Sequence, residues 1–208
     1  MDIKNKSQFI EHFSKGIKDP NQLKIGVEHE RFLFEGQNKK RISYKTLKKL
    51  FENLKSNGWQ PLFEKENIIG MQRDNQQITT EPGLQCELSG APLENIHQVC
   101  NESSRFLKEI ENASKGLDIS TVSIGFDPFN NLSDVPQSPK TRYKIMKKEM
   151  PKGGKQSLEM MYRTCGIQIN YDYTSESNFE KIFRLGNYLT PLTIALYSNS
   201  PFESGKPT

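Results

Sequence analysis

Three short runs of the chain place carboxylates and amides at alternate positions, where the side chains of an extended segment share one face. Glu28 and Glu30 share a face within Ile25–Phe34, opposite Ile25, Val27 and Leu33. Gln85, Glu87 and Ser89 share one within Leu84–Ser89, opposite Leu84, Cys86 and Leu88. Thr164, Gln168, Asn170 and Asp172 share one within Tyr162–Tyr173, opposite Cys165, Ile167, Ile169 and Tyr171. Arg163 has the parity of that apolar set, but a bulge at a strand entrance shifts parity. Hard divalent cations take oxygen ligands, and polar substrates take amide hydrogen bonds. Clustered carboxylates without a cation raise one another's pKa. The pattern therefore fits a divalent-metal site that uses a nucleotide. It also fits a sheet with its polar side in water, although these faces carry no lysine.

Periodicity supplies the elements that must position these residues. Ser7 caps a first helix with Phe9, Ile10, Phe13 and Ile17 on its apolar side, and Asp19-Pro20 ends it. Ser43 caps a second, with Tyr44, Leu47, Leu50, Phe51 and Leu54 on one stripe. Residues 67–70, 77–81 and 84–89 read as extended, with Pro82-Gly83 as a hairpin turn or a kink in one strand. Pro92 opens a long helix that carries Leu93, Ile96, Val99, Cys100, Phe106, Leu107 and Ile110 at helical spacing and ends at Gly116. Residues 119–126 are extended, and 127–139 form a long Pro/Asn/Ser loop of the kind that is often functional. A basic helix over 141–150 and a short helix reaching Met161 precede the strand 162–173. Ser177 or Asn178 caps a final helix to about Ser198, with Pro191 inside it. That helix is apolar nearly all round, so it must be buried on several sides. The order of elements is that of a mixed α+β fold.

Bulk properties exclude several classes. The 208 residues hold 29 basic and 25 acidic side chains, and the mean hydropathy is −0.73. Twelve phenylalanines and many Ile and Leu are nonetheless too apolar for a disordered chain. No run approaches the ~18 apolar residues of a membrane span. The polar N-terminus reads as free of a secretory signal. Basic residues are interspersed with acids and lack aromatic platforms, so nucleic acid is not the expected partner. Three cysteines and three histidines show no zinc spacing. His29 faces the apolar side and reads as a core histidine. There is no GxxxxGK[ST] loop and no GxGxxG; Lys152-Gly-Gly-Lys155 is a weak phosphate signal. No nucleophile elbow supports a hydrolase.

Eight ordered motifs carry a specific resemblance. They are Gly26-Val-Glu-His-Glu30, Glu81-Pro-Gly-Leu-Gln-Cys-Glu-Leu-Ser-Gly-Ala-Pro92, His97-Gln-Val-Cys-Asn-Glu102, Gly125-Phe-Asp-Pro128, Pro139-Lys-Thr-Arg-Tyr-Lys-Ile-Met146, Met160-Met-Tyr-Arg-Thr-Cys165, Gln168-Ile-Asn-Tyr-Asp172 and Asn199-Ser-Pro-Phe202. Together, over nearly the whole chain, they resemble the glutamate–cysteine ligases of plants and alphaproteobacteria. The resemblance implies ATP-dependent joining of the L-glutamate γ-carboxylate to the amine of L-cysteine through an acyl phosphate, the first step of glutathione synthesis. It implies a glutamine-synthetase-like antiparallel sheet bent into an active-site funnel, with helices outside. It implies Mg²⁺ held by Glu28, Glu30 and Glu87, and a nucleotide site lined by Gln168, Asn170 and Gln85. Arg163 resembles an arginine that clamps the glutamate or the phosphoryl group, a task suited to a planar fork. Lys140, Arg142 and Tyr143 resemble a second, basic wall, with Tyr143 and Ser89 on the substrate side; a solvated basic helix is the alternative for that wall.

Departures from the family pattern shape the remaining expectations. Cys86 stands where many relatives have Phe and reads as a core filler. The redox bridge that plant members make through the equivalent of Cys100 has no second cysteine here and is not carried over. Family members continue past Lys206-Pro207-Thr208. Residues 1–208 are therefore expected to form one partial catalytic domain, incomplete at the C-terminus, whose partner is the missing C-terminal half of the same enzyme. A cytoplasmic location is expected. Two alternatives stand beside this reading: a non-catalytic module that binds glutamate or Mg²⁺, and a carboxylate–amine ligase with another acceptor.

Overall fold

The computed structural model describes residues 3–203 and 205–207; Met1 and Asp2, at the head of the polar N-terminus, and Ser204 and Thr208 lie outside them. Strand β1 (Ile25–Glu35) is the axis of a mixed α+β fold. Antiparallel β2 (Lys40–Arg41), β3 (Gln60–Glu64), β4 (Asn67–Arg73), β5 (Gln76–Thr80) and β6 (Cys86–Ser89) join it in the order β2-β1-β6-β5-β4-β3. β7 (Ile119–Val122) and β8 (Ile167–Tyr171) also pair with β1. β1 is thus flanked on both edges, by β6 and β8 along its first half and by β2 and β7 along its second. A small hairpin of β9 (Phe202–Glu203) and β10 (Lys206–Pro207) lies apart from this sheet.

Two helices seal one face of the sheet. Helix α2 (Tyr44–Leu54) lays Leu47, Leu50, Phe51 and Leu54 on the core, and Ser43 caps it by accepting the Thr46 N–H at 3.2 Å. Helix α3 (Ile96–Ala113) adds Phe106 and Ile110. They cover Leu33 of β1, Ile78 of β5, and Cys86 and Leu88 of β6. Trp59 is fully buried there. Arg73 stacks over its ring at 4.2 Å, and its Nε1 donates to Glu109 at 2.8 Å. β3, which carries a proline, is the edge strand next to that tryptophan, a place where a missing ladder donor is tolerated.

A second, smaller core of Tyr143, Met161 and Tyr162 joins α4 (Thr141–Glu149) to α5 (Ser157–Arg163) and to the 127–139 segment. That segment is anchored by Asp127, whose buried side chain pairs with Arg41 at 3.3 Å. Asp127 also accepts the N–H groups of Phe129 and Asn130. Arg41 in turn stacks over Phe32 at 4.5 Å.

Several local expectations are corrected. Asn5, not Ser7, caps α1 (Lys6–Ser14), because its side chain accepts the Gln8 N–H at 3.1 Å. The helix after Pro92 begins only at Ile96: Leu93 pairs with Ile25 through both backbone groups, and Asn95 then caps the helix. Its buried stripe is consequently Val99, Phe106, Glu109, Ile110 and Ala113, while Ile96 and Cys100 are exposed. Tyr162 and Arg163 end α5 rather than opening β8.

The largest correction concerns the last helix, α6 (Glu176–Tyr197), capped by Ser175. It has no buried residue, and Phe183, Leu185, Leu192, Ile194 and Leu196 are all exposed. It is held near its two ends, by a Tyr173–Phe179 ring contact and by the Gly125 N–H donating to the Asn199 carbonyl at 2.7 Å. Among the described residues no element covers the rest of it. No described helix is long and apolar enough to cross a membrane.

Candidate functional site

The predicted strand faces come together. Across β1 and β6, Glu28 lies opposite Ser89 and Glu30 opposite Glu87. Across β1 and β8, Glu28 lies opposite Gln168 and Gly26 opposite Asn170. Direct cross-strand partners point to one side of a sheet, so Glu28, Glu30, Glu87, Ser89, Gln168 and Asn170 share a polar face. Thr79 of β5 extends it and donates to Glu87 Oε1 at 3.3 Å; Ser89 donates to the same oxygen at 2.8 Å.

Within that face the carboxylates divide. Glu30 and Glu87 gather with Glu81, one oxygen from each lying within 4.8 Å of the others. Glu28 is not in this group. Its Oε1 instead accepts the amides of Gln168 at 2.8 Å and Asn170 at 2.9 Å. Of the expected Glu28, Glu30 and Glu87, the structure gathers Glu30 and Glu87, and Glu81 is the third carboxylate beside them.

Glu81 escapes parity reasoning because it sits on the turn between β5 and β6. The Leu84 N–H donates to the Glu81 carbonyl and the Glu81 N–H to the Gln85 carbonyl, both at 2.9 Å, closing a tight hairpin. Leu84 absorbs the reversal with φ +60°, a backbone conformation that costs a bulky residue about 1–3 kcal/mol. The neighbouring Gly83 is confined for a different reason: a Cβ there would stand 2.6 Å from the Tyr162 carbonyl oxygen. The signal for Glu81 was a Pro-Gly turn opening on a carboxylate six residues before Glu87.

Electrostatics follow from this crowding. Burial, reinforced by Glu81, Glu87 and Glu28, raises the Glu30 carboxyl to about 7, although the Gly166 N–H donating at 2.7 Å opposes the rise. Burial and Glu87 also push Glu81 upward. Lys140 is buried beside them with no ion pair within 4.0 Å among the described residues. Burial lowers its pKa, while Glu81 and Glu87 pull it back up. Oxygen donors, excess negative charge and an upward-shifted carboxyl suit a hard divalent cation such as Mg²⁺, so these residues fit the ion.

Other predicted site residues are committed elsewhere. Arg163 is buried at 3% exposure, ion-paired to Glu159 at 2.7 Å, bonded to the Asp127 carbonyl and stacked over Phe126 at 4.5 Å. It braces α5 and the 127–139 segment, so the expected substrate clamp is not what its contacts describe. Gln85 is likewise a bracket: it accepts the Gly83 N–H and donates to the carbonyls of Met161 and Thr164, which leaves no amide for a nucleotide. Tyr143 is buried and its hydroxyl meets Glu81, so it does not face open space for a substrate. Arg142 stacks on Tyr143 and reaches Glu81 at 3.7 Å. The solvated-helix alternative thus fails for the buried Lys140 and Tyr143 and holds for Lys144 and Lys148, while Arg142 is exposed at 62% yet tied to Tyr143 and Glu81.

Comparison with known proteins identifies the family. The sequence profile of glutamate–cysteine ligase family 2 matches residues 24–208. The chloroplastic glutamate–cysteine ligase of Medicago truncatula is 41% identical over 203 residues. That match covers 97% of this chain and 40% of the relative. Chloroplastic ligase A of Oryza sativa subsp. japonica is 40% identical and the Arabidopsis thaliana enzyme 39%, over the same length. The chain spans about 40% of the length of these curated relatives. Their names place them in the chloroplast, which overturns the expectation of a cytoplasmic location.

Proposed function

The chain belongs to glutamate–cysteine ligase family 2, and from that premise we propose that it carries the metal–nucleotide part of an ATP-dependent ligase joining the γ-carboxylate of L-glutamate to the amine of L-cysteine. The observation that carries the reading is the Glu30–Glu81–Glu87 cluster on the polar face of a family member's sheet. A carboxylate is a poor acyl donor, so the γ-carboxylate takes the terminal phosphoryl group of ATP and ADP leaves. The cysteine amine then displaces phosphate and loses a proton. The three carboxylates would hold Mg²⁺, which would supply charge neutralisation for phosphoryl transfer. Lys140, buried near Glu81 and Glu87 and without an ion-pair partner among the described residues, is the basic side chain we assign to the transferring group. Gln168 and Asn170 hold Glu28 through its Oε1 on the same polar face as the cluster. We read the polar face as the inner wall of a glutamine-synthetase-like funnel.

ADP release with ATP, Mg²⁺, glutamate and cysteine tests this. Turnover is expected to need both amino acids. Glu30→Gln and Glu81→Gln are expected to lower it by two orders of magnitude or more, about 3 kcal/mol. Turnover indifferent to either amino acid, or unchanged in both variants, overturns the reading.

A further inference from the structure

Resting on the cluster as a divalent-cation site, we propose that Tyr143, polarised by Arg142, is the positioning residue that holds Glu81 in that site. Glu30 and Glu87 are aimed by strand register. Glu81 rides on a turn, where register fixes nothing, so its carboxylate needs another hold.

Residues 138–143 supply it. The Ser138 N–H donates to the Pro82 carbonyl at 2.8 Å, and the Ser138 and Thr80 hydroxyls lie 3.0 Å apart. The Tyr143 hydroxyl donates to Glu81 Oε1 at 3.0 Å, with the Thr80 carbonyl at 3.3 Å. Tyr143 is 1% exposed and packed with Met161 and Tyr162, so its hydroxyl has a fixed origin. Arg142 Nη2 donates to that hydroxyl at 2.6 Å while its guanidinium lies 4.7 Å from the ring centre. A hydroxyl that accepts from a cation donates more strongly. Both residues engage Oε1, and Oε2 of Glu81 has no hydrogen bond among the described residues, leaving it for a cation. Outer partners of this type are worth about 10–100-fold in metal affinity. The neighbouring Tyr162 provides a chemical control, because its buried hydroxyl has no partner.

The test is Mn²⁺ binding to the 208-residue chain, read by the electron paramagnetic resonance of free ion, with melting curves to confirm folding. Tyr143→Phe is expected to weaken binding about tenfold, Glu81→Gln more, and Tyr162→Phe less than twofold. If Tyr143→Phe does not fold, Arg142→Met carries the test, since it keeps the ring and removes the polarising donor; about threefold weaker binding is expected. Wild-type affinity in whichever variant folds, with Glu81→Gln impaired, overturns the positioning role and leaves the metal site standing. A wild-type chain that binds no Mn²⁺, or a Glu81→Gln chain that binds it normally, overturns the site and the role together.

Discussion

At His29 three strands meet in one row, with Leu88 of β6 on one side and Ile167 of β8 on the other. Both neighbours have the same parity and comparable size. Leu88 is 1% exposed beneath α2 and α3, whereas Ile167 is 68% exposed. The alternation of β8 is as clean as that of β6, so patterning tells which residues share a face and not whether anything lies on it. Cover comes from separate elements packed on the sheet, and only the β6 side has received it from the described residues.

The sealed and open sides should respond to substitution very differently. Asp127 and Arg41 form an ion pair with both side chains fully buried. Asp127→Asn leaves a buried guanidinium without its anion and should cost about 3–5 kcal/mol in urea unfolding. The shorter Lys24–Glu94 pair, 2.7 Å but exposed at 35% and 65%, should yield under about 1 kcal/mol on Lys24→Met. Equal costs would mean that distance, not burial, sets the difference. Next, Leu88→Ala should cost about 3 kcal/mol through lost burial and a cavity, against about 0.5 kcal/mol for Ile167→Ala. A large loss at Ile167 would show that β8 is covered in solution.

Glu30 lies between the two sides and reports on both. Its folded carboxyl is raised above the unfolded value of 4.5 to about 7, so the folded state binds the proton more tightly. Its contribution to stability is therefore intact below pH 4.5 and declines as pH rises to about 7. In metal-free buffer Glu30→Gln should be near neutral at pH 4.5 and should raise the melting temperature at pH 8. Discounted for the solvent that reaches the group, the gain is about 1 kcal/mol, or about 2–4 °C for a chain of this size. A gain at acid pH and none at pH 8 would reverse the assignment. The smallest expected effect is in hydrogen exchange: α6 amides should exchange through local openings, far faster than those of α3.

The sequence made half of the site legible. Strand parity brought Glu28, Glu30, Glu87, Ser89, Gln168 and Asn170 to one face, because the period of two is local and rigid. It could not see that Glu28 would turn to two amides instead of its own neighbours, since that choice is a side-chain competition. Glu81 was missed because a turn has no period. Arg163 and Gln85 show what a motif leaves open: a polar residue in it serves a buried backbone as readily as a ligand, and only the fold shows which carbonyls need a donor. The helix stripe was legible in α2, which packs along its whole apolar side on the sheet, and only in part in α3. It misled in α6, whose apolar surface predicts burial that the described residues do not supply.

The doubly flanked position of β1 also sets a schedule. Its own residues have been made by position 35, and β6 is complete by residue 89, but β8 ends only at residue 171. At ordinary rates of synthesis the strand waits on the order of ten seconds with one edge unpaired. Throughout that interval the ribosome-bound chain exposes an unpaired strand edge, the kind of template on which another strand can add.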